Sequence, residues 1–484
     1  MSIGFANMKR KYFIIIAVFA AVLFGLSMLA FADGDFYVND SSHVLPQFFD
    51  GVYAVGGEGT ELLFSDQVYA LSGSGLQLLG SAGSNGGGGL LYEDGTVTIR
   101  SESVRVGLFY SYSESRDSAL DSSVLENKTG CGFAFGYQQE DGGTFIELAR
   151  TDESRILVTP GTDSAVYVSG GTSEEPICGL DGTGRSRYLI VQPLSDGEAP
   201  LTSCAGNTYY GDFAYAVLAN NRLTVVNIVD MEHYVMGVCA REMTESWPVE
   251  ALKAQAVAAR TYAQKMIRTS VYHYICGFDV TADTYCQAYR GMRGVGENII
   301  EAVQATRNEY LTSGKLLIDA VYSASDGGAT EDGQNVFGYA SSYLVGVSDP
   351  YESAADRENP YSSWKVTMTP AQLGAKVGLD SIREVVPTLS RTGNVIKLEL
   401  WSVSGRSATL IRDNCRTSLG LKNIRYCVSK DASGNFVFEG SGFGHNLGMS
   451  QWGAYAMAKY YEKDYRFILG FYFTKVGLSR GVLE

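Results

Sequence analysis

Several large protein classes leave marks that this sequence does not carry. Among its 484 residues, 38 Lys and Arg stand against 53 Asp and Glu, a formal net charge of −15. No surplus of cations is available to neutralise phosphates, which excludes nucleic acid as an expected partner. The same charge requires that any binding of an anionic polymer be local. No phosphate-binding glycine fingerprint, no H-E-x-x-H and no G-x-S-x-G occurs, so the nucleotide, zinc-protease and serine-hydrolase signatures are missing. Histidine is scarce, four in all. What remains is ordinary globular composition, 45% hydrophobic and 19% charged, which excludes global disorder. The length accommodates two to four domains and a large core.

The chain opens with Lys9-Arg10-Lys11 and an uncharged run from Tyr12 to Ala32. A positive flank before such a run is a targeting segment. Ala30-Phe31-Ala32 supplies an A-x-A cleavage pattern, while a run of about 20 residues also suffices to span a bilayer. Residues 1–32 are therefore either a cleaved signal peptide or a membrane anchor, and both place 33–484 outside the cytoplasm. All eight cysteines lie in that exported part. An oxidising compartment favours disulfides, with Cys276–Cys286 and Cys415–Cys427 the nearest local pairs and Cys178–Cys204 a third. Buried free thiols are the alternative.

Residues 33–100 are rich in Gly, Ser and Tyr and contain a glycine tract ending at Leu90. They read as a loosely strand-forming spacer or accessory patch. From 101 to 484 the pattern is that of one α+β domain. Strands are expected at Val104–Phe109, Gly132–Tyr137, Thr144–Leu148, Arg155–Val158, Ala165–Val168, Tyr188–Gln192 and Arg222–Ile228. These lead without a linker into a helical centre. Asp230 is placed to cap a helix whose apolar residues Met231, Tyr234, Val235 and Val238 fall at i, i+3, i+4 and i+7. A second helix follows, with Ser246 as expected N-cap and Pro248 in its first turn. Its stripe is Val249, Leu252, Ala256, Ala259, Ala263 and Met266. The alanines allow a neighbouring element to come close, as a buried central helix requires. Lys253 and Arg260, seven apart, share another face and offer it a cationic character.

Between the two helices, Glu242 is the best candidate for acid–base chemistry. An apolar contact from Trp247 would raise its pKa, which a general acid needs. Glu245 and Glu250 compete, although Glu250 in a helix's first turn is explained by the dipole alone. His445, in a glycine-punctuated loop running into a helix, either fixes that loop or takes part directly. Gly327-Gly328 after an apolar strand marks a turn with open backbone. His273, Cys276 and Cys286 give H-x2-C-x9-C, three ligands where structural zinc usually takes four. Zinc, a disulfide and free thiols all remain open there.

The window Gly237-Val238, Glu242, Trp247-Pro248, Glu250 through Ala256 and Ala259 through Tyr262 resembles the signature of the stage II sporulation protein D family. The resemblance extends through Asp279-Val280, Gln287-Ala-Tyr289-Arg-Gly291, Tyr322, Gly327-Gly328-Ala-Thr330, Asp349-Pro350, Arg416 and Gly444-His445 to Ala454. It implies a SpoIID-like fold and a peptidoglycan lytic transglycosylase, with Glu242 catalytic and no cofactor required. Lys253, Gln255, Arg260, Gln287, Tyr289, Ser325, Gly327, Gly328, Thr330, His445, Ser450 and Gln451 would meet the substrate. That substrate would be glycan strands already stripped of stem peptides by an amidase, cut between N-acetylmuramic acid and N-acetylglucosamine to leave 1,6-anhydro ends. An amidase partner, an extracytoplasmic location and a sporulation-related role follow from the same likeness. The family also includes amidase enhancers, so a non-catalytic wall-binding protein is the alternative, and a glycan hydrolase a third. A hydrolase needs a second carboxylate, for which Asp279, Asp326 and Glu331 are the candidates. Two departures bear on metal and substrate: Val280 stands where another cysteine is often found, and Asn446 replaces a glycine.

Overall fold

The computed structural model describes residues 91–484, save positions 114, 139–142, 162–163, 171–175, 181–187 and 219–220 and the side chains at 91–94 and 176–180. Before residue 91 only the backbone of short strands is described. The targeting segment, most of 33–100 and the Cys178 side chain thus lie outside the described residues. Among those residues no helix is long and apolar enough to cross a membrane.

Two sheets build the first part. One runs, in spatial order, Phe145–Thr151, Phe133–Gln138, Leu189–Pro193, Asp212–Val217, Leu223–Asp230, Ser103–Phe109 and Val280–Thr281. Its pairings are antiparallel except the last, where Val280 lies beside Val106 in parallel. The other includes Val166–Gly170, Arg155–Pro160, Ser123–Asn127 and Thr202–Cys204. Strands such as Val166–Gly170 alternate buried and exposed, as a sheet with one solvated face does. The buried faces of both sheets join one apolar core that continues to Leu478. The expected strands are present with boundaries moved by one to three residues, and the chain is α+β.

Helix α1, Met231–Glu242, leaves the strand Leu223–Asp230 with no linker, and the Asp230 carboxylate accepts from the N–H groups of Glu232 and His233 at 2.9 and 3.3 Å. Gly237 lets α1 approach residues 289–291: a Cβ there would fall 2.5 Å from the Gly291 carbonyl oxygen. Helix α2 is Val249–Met266. Ser246 is not its cap; Pro248 holds the N-cap position without a side-chain bond, and the Ser246 hydroxyl meets that of Thr244. A proline with no N–H starts the helix by its fixed φ instead.

Every residue of α2 from Ala251 to Gln264 except Lys253 is buried. The helix is surrounded by α1, by α4 (Glu297–Ala305), by the strand Glu309–Ser313 and by α5 (Gln451–Tyr461) and α6 (Tyr465–Tyr472); α3 is Val271–Cys276. The outward cationic face expected for α2 is therefore absent. The strand Gly477–Leu483 closes the chain, antiparallel to Glu309–Ser313 and parallel to Leu91–Ile99.

The expected disulfides do not form among the described cysteines, which are free thiols. Cys415 is buried under Tyr426, whose hydroxyl donates to the Cys415 carbonyl at 2.9 Å. Cys427 follows Tyr426 in the strand Tyr426–Lys430 and points to the opposite, exposed face. Cys276 packs with Phe278 in a small cluster apart from the main core, against which Cys286 rests.

Candidate active site

Glu242 ends α1. Its Oε1 accepts from the Ala288 backbone N–H at 2.9 Å, and its Oε2 from Gln451 Nε2 at 3.3 Å. Burial raises the Glu242 pKa against the lowering effect of those two donors and of Arg241. Trp247 itself packs on Trp452 and Tyr455, with ring centroids 4.9 Å away in each case.

The competing glutamates are occupied. Glu245 accepts from the backbone N–H groups of Gly296, Asn298 and Ile299 at 2.7–3.3 Å and so caps α4. Glu250 pairs with Lys253 at 2.6 Å and accepts from Tyr465 N–H at 2.9 Å. That leaves Glu242 as the carboxylate of this segment without a cap to serve.

Around it, the structure brings Gln255, Gln287 and Gln451 together, with His445 in the wall of the neighbouring cavity. Gln451 Nε2 also donates to Gln255 Oε1 at 3.2 Å, while the buried Gln255 Nε2 has no partner. Gln287 accepts from Tyr234 at 3.0 Å and donates to the Tyr322 hydroxyl at 2.8 Å. Parallel pairing of Tyr322–Ser323 with Met449–Ser450 delivers the start of α5 to this place. A cavity of about 160 Å³, smaller than a typical drug-sized ligand pocket, lies beside Gln287 and is lined by Gln287, Tyr322, Tyr262, His445, Asp413 and Arg416 among others, Glu242 not being one of its lining residues. His445 Nδ1 accepts from Leu447 N–H at 3.0 Å, so its ring proton sits on Nε2. Burial pushes the His445 pKa down to about 4, and the ring is neutral at pH 7.

Other expected substrate residues lie elsewhere. Arg260 is fully buried and bonded to Glu232, Nε to Oε1 at 3.0 Å and Nη2 to Oε2 at 2.6 Å, with further bonds to the carbonyls of Glu309 and Val303. Its charge is already satisfied, which corrects its expected place at the substrate. Lys253 is likewise held by Glu250. Tyr289 is a core residue whose hydroxyl donates to Asn227 at 2.9 Å. Thr330 is buried and accepts from Val347 N–H at 2.9 Å.

Ser325, Gly327 and Ser450 all face Glu352, a residue that the sequence did not single out. The Glu352 carboxylate accepts from both serine hydroxyls, from the N–H groups of Asp326 and Gly327 and from Asn359. Gly328 donates to Asp326 Oδ1 at 2.7 Å and has a φ of +111°, which glycine tolerates. Asp326, Asp349 and Glu352 are the one group of three possible metal ligands that gathers among the described residues. Burial, with Glu352 and Asp349 close by, raises Asp326 well above the usual carboxylate range. Asp326 Oδ2 is buried without a hydrogen-bond partner. The His273, Cys276 and Cys286 set does not gather among the described residues; His273 Nδ1 faces Asp279 at 3.1 Å.

The sequence signalled Tyr322 and Arg416 only as motif members and gave no sign of Asp413 or of the Ala288 backbone.

Comparison with known proteins follows the same residues. A family model described as Stage II sporulation protein matches residues 219–313. An uncharacterized protein of Brachyspira hyodysenteriae is 34% identical over 56% of this chain and 73% of its own length. The amidase enhancer of Bacillus subtilis is 29% identical over 50% of this chain and 40% of its own. Stage II sporulation protein D of Bacillus subtilis is 30% identical over 48% of this chain and 70% of its own. With its family segment running through the helices that present Glu242, the chain belongs to the stage II sporulation protein D family.

Proposed function

We propose that the chain is a peptidoglycan lytic transglycosylase acting on peptide-stripped glycan strands during sporulation-related wall remodelling outside the cytoplasm, with Glu242 as both acid and base. The observation that carries this reading is a carboxylate whose pKa burial raises and which is held by the Ala288 N–H, next in the chain to Gln287 of the cavity wall. Protonated Glu242 donates to the glycosidic oxygen, and the C1–O bond breaks. The resulting carboxylate takes the proton of the sugar's own C6 hydroxyl as O6 bonds to C1. The products are a 1,6-anhydro end and a free 4-hydroxyl; no water is consumed and no cofactor is needed. Oε2, with the longer contact at 3.3 Å, is the oxygen suited to carry the proton.

A hydrolase would need a second carboxylate about 5–9.5 Å away, and the three candidates are engaged. Asp279 accepts from the N–H groups of Arg105 and Arg268. Asp326 is enclosed with Glu352, and Glu331 accepts from Asn335, Ser390, Thr392 and Asn394. The relation to an amidase enhancer favours a second reading, in which the cavity binds strands and the protein stimulates an amidase partner.

Mass spectrometry of peptide-free strands treated with the purified protein separates these readings. Products one water lighter than reducing-end fragments, lost in Glu242→Gln, are expected. Reducing ends would establish hydrolysis, and intact strands with retained binding would leave the amidase-stimulating role. Cleavage by Glu242→Gln at the wild-type rate would remove Glu242 from the mechanism.

A further inference from the structure

Arg416 lies on the short helix Asn414–Thr417 and lines the same cavity as Gln287 and Tyr322. Asp413 grips one edge of its guanidinium, Nε to Oδ1 at 2.9 Å and Nη2 to Oδ2 at 2.7 Å. Both side chains are largely covered, 20% and 26% exposed. A bidentate clamp fixes the plane of the fork. It consumes two of five N–H groups and leaves Nη1 without a partner among the described residues. His445 in the same wall is neutral, so Arg416 is the permanent cation among the described lining residues. Gln287 and Tyr322 line the cavity too, and Gln287 directly precedes Ala288, whose N–H holds Glu242. The cavity is thus polar and partly aromatic, its wall residue Gln287 adjoins the Ala288 contact to Glu242, and it carries one pre-oriented cationic donor.

We propose that Arg416 is the carboxylate-binding residue of this cavity, its free Nη1 receiving the acid group of a carboxylate-bearing sugar. This rests on the glycan-strand reading above and names the group that would fill the cavity: the 3-O-lactyl carboxylate of an N-acetylmuramic acid freed of its peptide. A lactyl group still joined to peptide is an amide. It offers a neutral oxygen and forfeits the charge-assisted part of the bond. Arg416 therefore discriminates stripped from substituted strands at the level of one functional group.

The test is calorimetric titration of the full chain with N-acetylmuramic acid, its methyl ester and N-acetylglucosamine. The acid is expected to bind at least about tenfold more tightly than the ester. Arg416→Gln should make acid and ester equal while leaving the N-acetylglucosamine affinity unchanged, and Arg416→Lys should restore part of the preference. Equal affinity of acid and ester for the unaltered protein overturns the proposal, and because only the ligand changes, no variant need fold. Absence of acid binding at millimolar concentration overturns it as well. Acid preference in a protein that cuts no strand would sink the transglycosylase reading alone. Strand cleavage without acid preference would sink this inference alone.

Discussion

Replacing Arg260 by Met separates an internal strut from a substrate contact. The guanidinium is wholly buried and the Glu232 side chain 12% exposed, so removing the cation strands a carboxylate inside the protein. The cost of breaking such a buried pair is about 3–5 kcal/mol. At about 2.1 cal/mol/K per residue over roughly 390 residues, the unfolding entropy near the midpoint is about 0.8 kcal/mol/K, and Tm should fall by about 4–6 °C. Glu232→Gln should cost a comparable amount, since it leaves Arg260 with only carbonyl partners. The double variant Glu232→Leu/Arg260→Met removes both charges and should recover most of the loss, because a well-packed apolar pair replaces a buried ion pair at little cost. Differential scanning calorimetry at pH 7 on these three variants, on Glu232→Leu and on the unaltered protein reads the coupling. An unchanged Tm in Arg260→Met together with lost glycan binding would refute the structural role and return Arg260 to the substrate.

Asp326→Asn tests the protonated carboxyl. The folded pKa is raised by burial, so the folded state keeps a proton that the unfolded chain releases near about pH 3.9. That contribution to stability is present below pH 4 and is lost as pH rises toward the folded pKa. The wild-type Tm should therefore fall relative to that of Asp326→Asn between pH 4 and 8, and a difference that is flat or of opposite sign removes the proton from the cluster. Gln451→Leu deletes a donor that lowers the Glu242 pKa. The alkaline limb of glycan cleavage should move to higher pH, and a shift to lower pH in a variant that folds normally would contradict the assigned contact.

Local signals were strong where chemistry and backbone coincide. Asp230 reads as a cap because its side chain serves the N–H groups two and three residues on, and Glu242 stands out because no helix end needs it. Glu245 was ambiguous in sequence: the helix it caps begins 52 residues later, and no local pattern reports that. Arg260 misled for a related reason. Spacing on a helix tells which residues share a face, but not whether that face meets water or, as here, Glu232 and a carbonyl pair. The cysteines misled through their count, since parity says nothing of which side of a strand a thiol takes. Glu352 had no legible role because its donors come from residues 325–327, 359 and 450, which only the tertiary fold assembles.

The long reach of the Gln451 contact has a consequence in time. A ribosome delivers Glu242 early and its amide partner 209 positions later, and the strand that fastens the last segment down ends at Leu483. A chain emerging from synthesis therefore holds Glu242 by the Ala288 N–H alone until Gln451 has been added, and a cut that removed residues 451 onward would return it to that state.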